Sequence, residues 1–376
     1  MKRIATITFH HAHNFGSVLQ TYALQKYICR LIENNHSKVD YKIINFYTKS
    51  QEELYSIFKH DISIKSVVKN LIAIRYLHKL RKKHRKFEDF INQRFNLTSR
   101  YFTESEILIN PPVADYYISG SDQIWNVRAH DFSDVYYLNF VNEGTRISYA
   151  ASFGPLGIDW NKYNEEKYRD YLRDYRAIST REFASADNVK QLIGVEPEIN
   201  LDPTFLLTID EWREIQSGVN FNNGKYILLY CLEPTVSQIN LAKKLSTHFG
   251  LPILVLRYNN KNDWFNPFVK RYDSGPCDFL SYIDNASLVL SSSFHGTAFS
   301  IIYHKPFYVF NGLEDNRISS ILKKTGLESR SINDSSDISM LDLNSPNSEM
   351  IDNFINKERE KTNLFLNNAL DNSYND

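Results

Sequence analysis

Short apolar runs recur along this chain, and nearly every one ends in a polar cluster that opens into a helical stripe. Residues 4–9, 42–46, 115–119, 146–151 and 177–179 are such runs in the first half. Residues 226–232, 252–257, 287–291 and 306–310 repeat the pattern in the second, with helical segments at 236–248, 277–285, 296–303 and 315–324. Continuous apolar strands alternating with helices point to parallel sheets covered on both faces. The pattern predicts an α/β chain of two Rossmann-like domains facing a cleft. Residues 1–210 form the first, with a basic helical insertion at about 55–100. Residues 211–348 form the second, and residues 349–376 are a C-terminal helix and tail.

The 376 residues suit two domains. With 42% hydrophobic residues there is ample apolar surface for a core, which excludes disorder as the main state. Forty-four basic residues balance 44 acidic ones, so a dedicated duplex-DNA binder is not expected, and no nucleic-acid partner is. The balance hides a local excess. Residues 65–86 carry nine Lys/Arg and no acid, with Val68, Leu71, Ile72, Ile74 and Leu77 on a helical apolar face. A solvated helix face is the plain reading. Docking on anionic lipid headgroups is the sharper one. RNA binding has less support, since Tyr76 is the sole aromatic in the run. No run of 18 apolar residues occurs, so no transmembrane helix is expected. The three cysteines form no CxxC and read as incidental thiols of a reducing compartment, which predicts a cytoplasmic protein.

In open α/β sheets ligands bind beyond the carboxyl ends of the strands, and the polar clusters of this chain fall there. Ser291-Ser292-Ser293-Phe294-His295-Gly296-Thr297 delivers a strand to a helix start, where backbone N–H groups favour an anion. His295 is the candidate acid or base there, with Ser292, Ser293, Gly296 and Thr297 around it. The plain alternative is a core histidine with serine caps. In Ser179-Thr180-Arg181-Glu182, Arg181 can hold phosphate or carboxylate bidentately with Glu182 orienting it. A surface ion pair is the alternative. Gly120-Ser121-Asp122-Gln123-Ile124-Trp125-Asn126 suits a hydroxyl-rich ligand. Asp122 or Gln123 would bond it, Ser121 and Asn126 would add polar contacts, and Trp125 would be an apolar platform. Asp122 could equally be the base for a sugar hydroxyl, and the alternative is an Asx-turn over a buried Trp. Asn14, Gly16 and Gln20 belong to a ligand-facing turn, with Ser17 as N-cap. Ser152 and Phe153 follow the run at 146–151, and Asp202 is held extended by Pro203. There is no GxGxxG and no GxxxxGK[ST], which counts against NAD and P-loop readings. The spacing of His10, His11 and His13 is not a specific ligand pattern, so no metal is expected.

Taken in order, Asn14-Phe15-Gly16-Ser17-Val18-Leu19-Gln20-Thr21-Tyr22-Ala23-Leu24, Gly120 to Asn126, Ser148-Tyr149-Ala150-Ala151-Ser152-Phe153-Gly154, Ser179 to Glu182, Asp202-Pro203-Thr204 and Ser293 to Thr297 resemble the polysaccharide pyruvyl transferase family. The resemblance implies a GT-B-like fold. It implies transfer of the enolpyruvyl group of phosphoenolpyruvate, the donor substrate, to a sugar of a surface polysaccharide or its lipid-linked precursor, with no further cofactor. It also implies that His295 and Arg181 meet the donor's phosphate and carboxylate. Several branches of the family carry an Arg two residues before the histidine, where this chain has Ser293. An enzyme acting at the inner face of the cell membrane follows, with the segment at 65–86 on the lipid. Two rivals share the architecture: a glycosyltransferase using a nucleotide sugar, and a non-catalytic subunit binding a glycan or lipid carrier.

Overall fold

The computed structural model describes residues 1–58, 63–156, 158–256 and 266–371, the side chains of residues 64, 65, 69 and 72 excepted. The chain begins β1 (Lys2–Ile7), α1 (Phe15–Asn34), β2 (Val39–Ile43), α2 (Lys49–Tyr55), α3 (Ile64–Arg75), α4 (Leu77–Arg94), α5 (Glu104–Ile109), β3 (Tyr116–Ser119) and β4 (Thr145–Ser148). It continues α6 (Glu165–Arg173), β5 (Tyr175–Ala177), β6 (Ser179–Thr180), α7 (Phe183–Ile193), β7 (Glu198–Ile199), α8 (Ile209–Glu214), β8 (Ile227–Tyr230) and α9 (Val236–Phe249). The last elements are β9 (Ile253–Val255), β10 (Val269–Lys270), α10 (Pro276–Asn285), β11 (Leu288–Ser291), α11 (Phe294–Ile302), β12 (Phe307–Phe310), α12 (Asn316–Lys324), β13 (Ser331–Ile332) and α13 (Ser348–Ala369).

Two units divide these elements. The first comprises Met1–Tyr55, Ile91–Leu207 and Ile355–Asp376, the second Ser56–Phe90 and Thr208–Phe354. Each is built on a parallel sheet, so the chain is α/β with two Rossmann-like units. Among the described residues the first sheet runs β2-β1-β3-β4-β5, the flavodoxin-like order. The second runs β10-β9-β8-β11-β12-β13; counted from β8, this is the 3-2-1-4-5-6 order of dinucleotide-binding folds. Every residue of β8, β11 and β12 is buried, as continuous apolar runs covered on both faces require.

Local chemistry sets the helix ends. The Asn14 side chain accepts the N–H of Gly16 and caps α1, so Ser17 is not the cap that its position suggests. Thr235 and Gln238 form a reciprocal capping box on α9, and Gly250 closes that helix in the left-handed conformation. The run at 177–179 divides into two strands, because β5 pairs with β4 while β6 pairs with β7. The helix expected at 296–303 begins at Phe294, which puts His295 and Gly296 inside its first turn. The strand expected at 252–257 ends at Val255; Arg257 and the tail at 372–376 lie outside the described residues.

The boundaries read from sequence also shift. The basic segment belongs with the second unit, not the first. Lys82 pairs with Asp273 at 3.0 Å, Lys86 with the buried Asp278 at 2.5 Å, and Tyr76 packs edge-on against Tyr272. Most of α13 belongs with the first unit. Arg359 donates to the carbonyl oxygens of Phe205 and Leu207 at 2.8 and 2.7 Å, and the Tyr149 hydroxyl lies 3.3 Å from that of Thr362.

Candidate functional site

In a parallel sheet the strand order reverses at one point, and the loops leaving the two strands there diverge into a crevice. In the first unit that point lies between β1 and β3. Gly120 follows β3 so closely against β1 that a Cβ would stand 3.1 Å from the carbonyl oxygen of Ile7. Asp122 comes next, with φ +77, a conformation that Asp tolerates better than most residues. Its Oδ1 accepts the N–H of Gln123 at 2.8 Å, and its Oδ2 accepts the Ser17 hydroxyl from α1, also at 2.8 Å. Backbone bridges from Asp122 to Ala151 and from Ala151 to Thr180 extend the pairing past the ends of β3, β4 and β6. The bridges bring Arg181 to the same place.

The Arg181 guanidinium is 4% exposed and faces three carboxylates. One terminal nitrogen lies 2.9 Å from Asp202 Oδ2 and 3.9 Å from Asp122 Oδ1, and Nε lies 3.3 Å from Glu182 Oε2. Hydroxyls complete the network. Ser121 donates to Asp202 Oδ2 at 3.2 Å, Thr204 to Asp202 Oδ1 at 2.8 Å, and Ser185 to Glu182. Burial alone would lower the guanidinium pKa; Glu182, Asp202 and Asp122 outweigh it and hold the value above the ordinary one. The cation is thus matched, and exceeded, by acidic groups of the chain itself. A phosphate brought to Arg181 would meet a surplus of negative charge.

Several residues expected to touch ligand are interior instead. Trp125 is fully buried, stacked on Tyr137 at 5.3 Å, and its indole N–H donates to Ser119 Oγ at 3.0 Å. It is no platform for a ligand. Phe153 packs against it in the same core and is also inaccessible. The buried Gln20 amide faces Thr8 Oγ1 and the Ser17 carbonyl at 3.0 and 2.9 Å, tying the exit of β1 to α1. Ser152 is buried and accepts the N–H of Gly154. Asn126 donates to the Gln123 side chain at 3.2 Å. Asn14 and Gln123 remain partly exposed at the rim, with Asp122 6% exposed behind them.

The second unit has its reversal between β8 and β11. Ser291, the last residue of β11, donates its hydroxyl to the Tyr230 carbonyl at 3.0 Å and accepts the Ser293 N–H at 2.9 Å. The strand is thereby handed to α11 within two residues. Gly296 is demanded by this turn: a Cβ would stand 2.3 Å from Ser291 Oγ and 2.9 Å from Tyr230 Cδ1. Thr297 returns its hydroxyl to the Ser293 carbonyl at 3.0 Å. Ser293 occupies the N-cap position without a side-chain cap bond. His295 is 7% exposed, its ring edge-on to Phe294 at 5.2 Å. Ser292 is partly exposed beside it. An imidazole beside first-turn N–H groups can hold an anion and pass it a proton.

One group of the first unit has no signal in its local sequence. Asp131, in the loop after β3, is partly buried and accepts the Tyr55 hydroxyl at 3.3 Å. Burial pushes its carboxyl above the ordinary value, and the like charge of Asp122 adds to the shift. Arg128-Ala129-His130-Asp131 reads as an ordinary polar loop; only the folded arrangement shows the acid.

No curated protein matches this chain. Among solved structures, it is similar to the UDP-GlcNAc 2-epimerase of Methanocaldococcus jannaschii in complex with UDP-GlcNAc and UDP, at 12% identity over 94% of this chain and 98% of that one, with a TM-score of 0.48. The UDP-GlcNAc 2-epimerase of Neisseria meningitidis bound to UDP-GlcNAc is similar at 10% identity over 98% and 94%, with a TM-score of 0.46. The E. coli heptosyltransferase WaaC with ADP follows at 11% identity over 95% and 99%, with a TM-score of 0.41. The family model for polysaccharide pyruvyl transferase matches residues 14–312, a span that takes in the turn at Asn14, the Asp122 and Arg181 cluster and the His295 turn. On that match, the chain belongs to the polysaccharide pyruvyl transferase family.

Proposed function

We propose that this chain transfers the pyruvyl group of phosphoenolpyruvate to a sugar of a surface polysaccharide or of its lipid-linked precursor. Family membership across residues 14–312 carries the reading. The donor's anionic end meets the first turn of α11, and His295 supplies a proton to the donor's methylene carbon, which becomes the methyl group. One sugar hydroxyl adds to the neighbouring carbon and gives up its proton. A second hydroxyl displaces phosphate, and its proton leaves with the phosphate. The product is a cyclic ketal plus inorganic phosphate, with no change of oxidation state.

Asp122 is the base for an acceptor hydroxyl, with Asn14 and Gln123 at its rim. Arg181 enters as the cation that holds Asp122, Glu182 and Asp202 in place, because its charge is met within the chain. With Ser293 where other branches carry Arg, the donor's charge falls to the N–H groups of α11 and to His295.

The basic segment suits the membrane that would present a lipid-linked acceptor. Val67, Val68, Leu71 and Ile74 on α3 are all exposed, by 49 to 63%, beside exposed Arg75, Arg81 and Arg85. Apolar side chains flanked by cations match an interfacial helix on anionic lipid. Lys82 and Lys86 are ion-paired to Asp273 and Asp278 and are not counted toward lipid; the side chains of Lys65, Lys69 and Ile72 lie outside the described residues. No helix among the described residues is long and apolar enough to cross a membrane. The reading places the enzyme in the cytoplasm, peripheral on the inner face.

The test is phosphate release from phosphoenolpyruvate in the presence of glycan acceptors, with mass spectrometry of the product. His295→Ala should lower turnover by roughly 10²–10⁴-fold without unfolding the chain. Near-normal turnover in that variant would remove His295 from the reaction. Turnover with nucleotide sugars in place of phosphoenolpyruvate would make the chain a glycosyltransferase.

A further inference from the structure

With Trp125 buried in the core, the Asp122 cluster loses the ring that its own heptad would set against a ligand. Another aromatic side chain stands at its edge. Phe183 is the first residue of α7, directly after Arg181 and Glu182, and it is 51% exposed. Among the described Phe and Trp side chains only Phe102 is as exposed, at 53%, and the Arg100 guanidinium lies 4.2 Å from the centroid of that ring. Helix formation does not ask for an apolar ring at the first helical position, where Pro and acidic residues are favoured. Half in water, the ring also forgoes burial that would stabilise the fold.

The first turn of α7 is fixed to the cluster. Arg181 Nε lies 3.3 Å from Glu182 Oε2, and the same guanidinium reaches Asp122 Oδ1 at 3.9 Å. The Arg181 N–H donates to the Ala151 carbonyl at 3.2 Å, and the Ser152 N–H donates to the Asp122 carbonyl at 3.0 Å. From within the turn, Ser185 Oγ accepts the Phe153 N–H at 3.0 Å. Phe183 is therefore carried on a turn that is bonded, before and after it, to the loops that hold Asp122. Asn14 and Gln123 stand partly exposed at the rim of the same cluster. An anion is poorly suited here, since Asp122, Glu182 and Asp202 outnumber the one guanidinium. A neutral pyranose is well suited. Its C–H face is apolar and slightly positive, which matches the negative face of an aromatic ring. Its hydroxyls donate to a carboxylate and exchange hydrogen bonds with side-chain amides.

We propose that Phe183 is the platform on which the acceptor glycan lays the C–H face of a sugar ring, while hydroxyls of the same glycan reach Asp122, Asn14 and Gln123. The proposal rests on the reading of this chain as an enzyme acting on sugars, and it deepens that reading by naming the side chain that orients the acceptor.

Saturation-transfer NMR on the full chain tests it without turnover, using the methyl glycosides of glucose, galactose, mannose and N-acetylglucosamine, with lactose and cellobiose, as probes. At least one probe should be saturated by the wild type, most strongly at the C–H protons of one ring face. Phe183→Ala should weaken its binding roughly three- to tenfold. Phe183→Leu should weaken it nearly as much, because it keeps apolar area without a flat face, and Phe183→Trp should retain or strengthen it. All three should keep the wild-type melting temperature, since the side chain is half exposed. No saturation in the wild type, undiminished binding in Phe183→Ala, or wild-type binding in Phe183→Leu overturns the proposal. Should Phe183→Ala fail to fold, the comparison of Phe183→Leu with Phe183→Trp decides it: equal binding in the two overturns it equally. Failure of the pyruvyl reading looks different: the wild type would bind glycosides through Phe183 yet release no phosphate from phosphoenolpyruvate in their presence.

Discussion

Replacing Arg181 with Met removes the one cation from a buried nest of three acids while keeping an apolar stem of similar reach. Glu182 and Asp202 are 0 and 1% exposed, so neither can recruit water in place of the guanidinium. Breaking a buried ion pair by deleting one partner costs about 3–5 kcal/mol, because a charge is left uncompensated. The hydroxyls of Ser121, Thr204, Ser185 and Ser17 remain on the acids, which favours the lower part of that range. With a denaturant slope of roughly 2–3 kcal/mol per molar, the urea midpoint should fall by about 1–2 M. Emission from Trp125 and Trp160, both buried in the first unit, reports the transition. The pH dependence has a definite sign. Acids that lose the guanidinium but stay buried have folded-state pKa values above their unfolded ones, so protonation favours the folded state. The deficit of the variant should therefore be smallest near pH 4–5 and reach its full size by pH 8. A deficit below about 1 kcal/mol, unchanged across that range, would refute the reasoning. Weakened phosphoenolpyruvate binding in a variant that still folds, rather than lost turnover alone, would make Arg181 a donor ligand after all.

Two further outcomes follow from particular contacts. Gly296→Ala puts a Cβ 2.3 Å from Ser291 Oγ, so it should destabilise by about 1–3 kcal/mol although alanine is the better helix former, as thermal unfolding will read. Leu71→Asp combined with Ile74→Asp alters two side chains that are 63 and 57% exposed; it should leave the melting temperature in place and weaken sedimentation with phosphatidylserine vesicles, and unchanged sedimentation would return α3 to an ordinary solvated face.

The alternation of strands and helices was legible because it is local: each apolar run and each stripe declares its own period. The edge strands β10 and β13 were not, since two residues carry no period at all. Trp125 illustrates a deeper limit. It stands in a polar heptad and reads as a ligand platform, yet its burial is decided by Tyr137 and Phe153, residues whose approach no local pattern announces. Arg181 is similar. The sequence shows Glu182 beside it but not Asp202, which reaches it through the pairing of β6 with β7. Burial turns an apparent anion holder into the counter-ion of its own neighbours. The turn that carries His295 was legible, because a strand end, a serine turn and a glycine lie contiguous, although the helix begins at Phe294, two residues before the expected start.

The return of α13 to the first unit bears on synthesis. At roughly 5–20 residues per second, about 8–30 s separate the emergence of Leu207 from that of Arg359. Until then the carbonyls of Phe205 and Leu207 lack the guanidinium that binds them, and the surface destined for Leu366 and Leu370, each at most 2% exposed when folded, stands open to water. The second unit, drawn from residues 56–90 and 208–354, has its last strand, β13, in hand before Arg359 emerges. The half that is made first is therefore finished last, and its nascent apolar face is where a holdase would be needed.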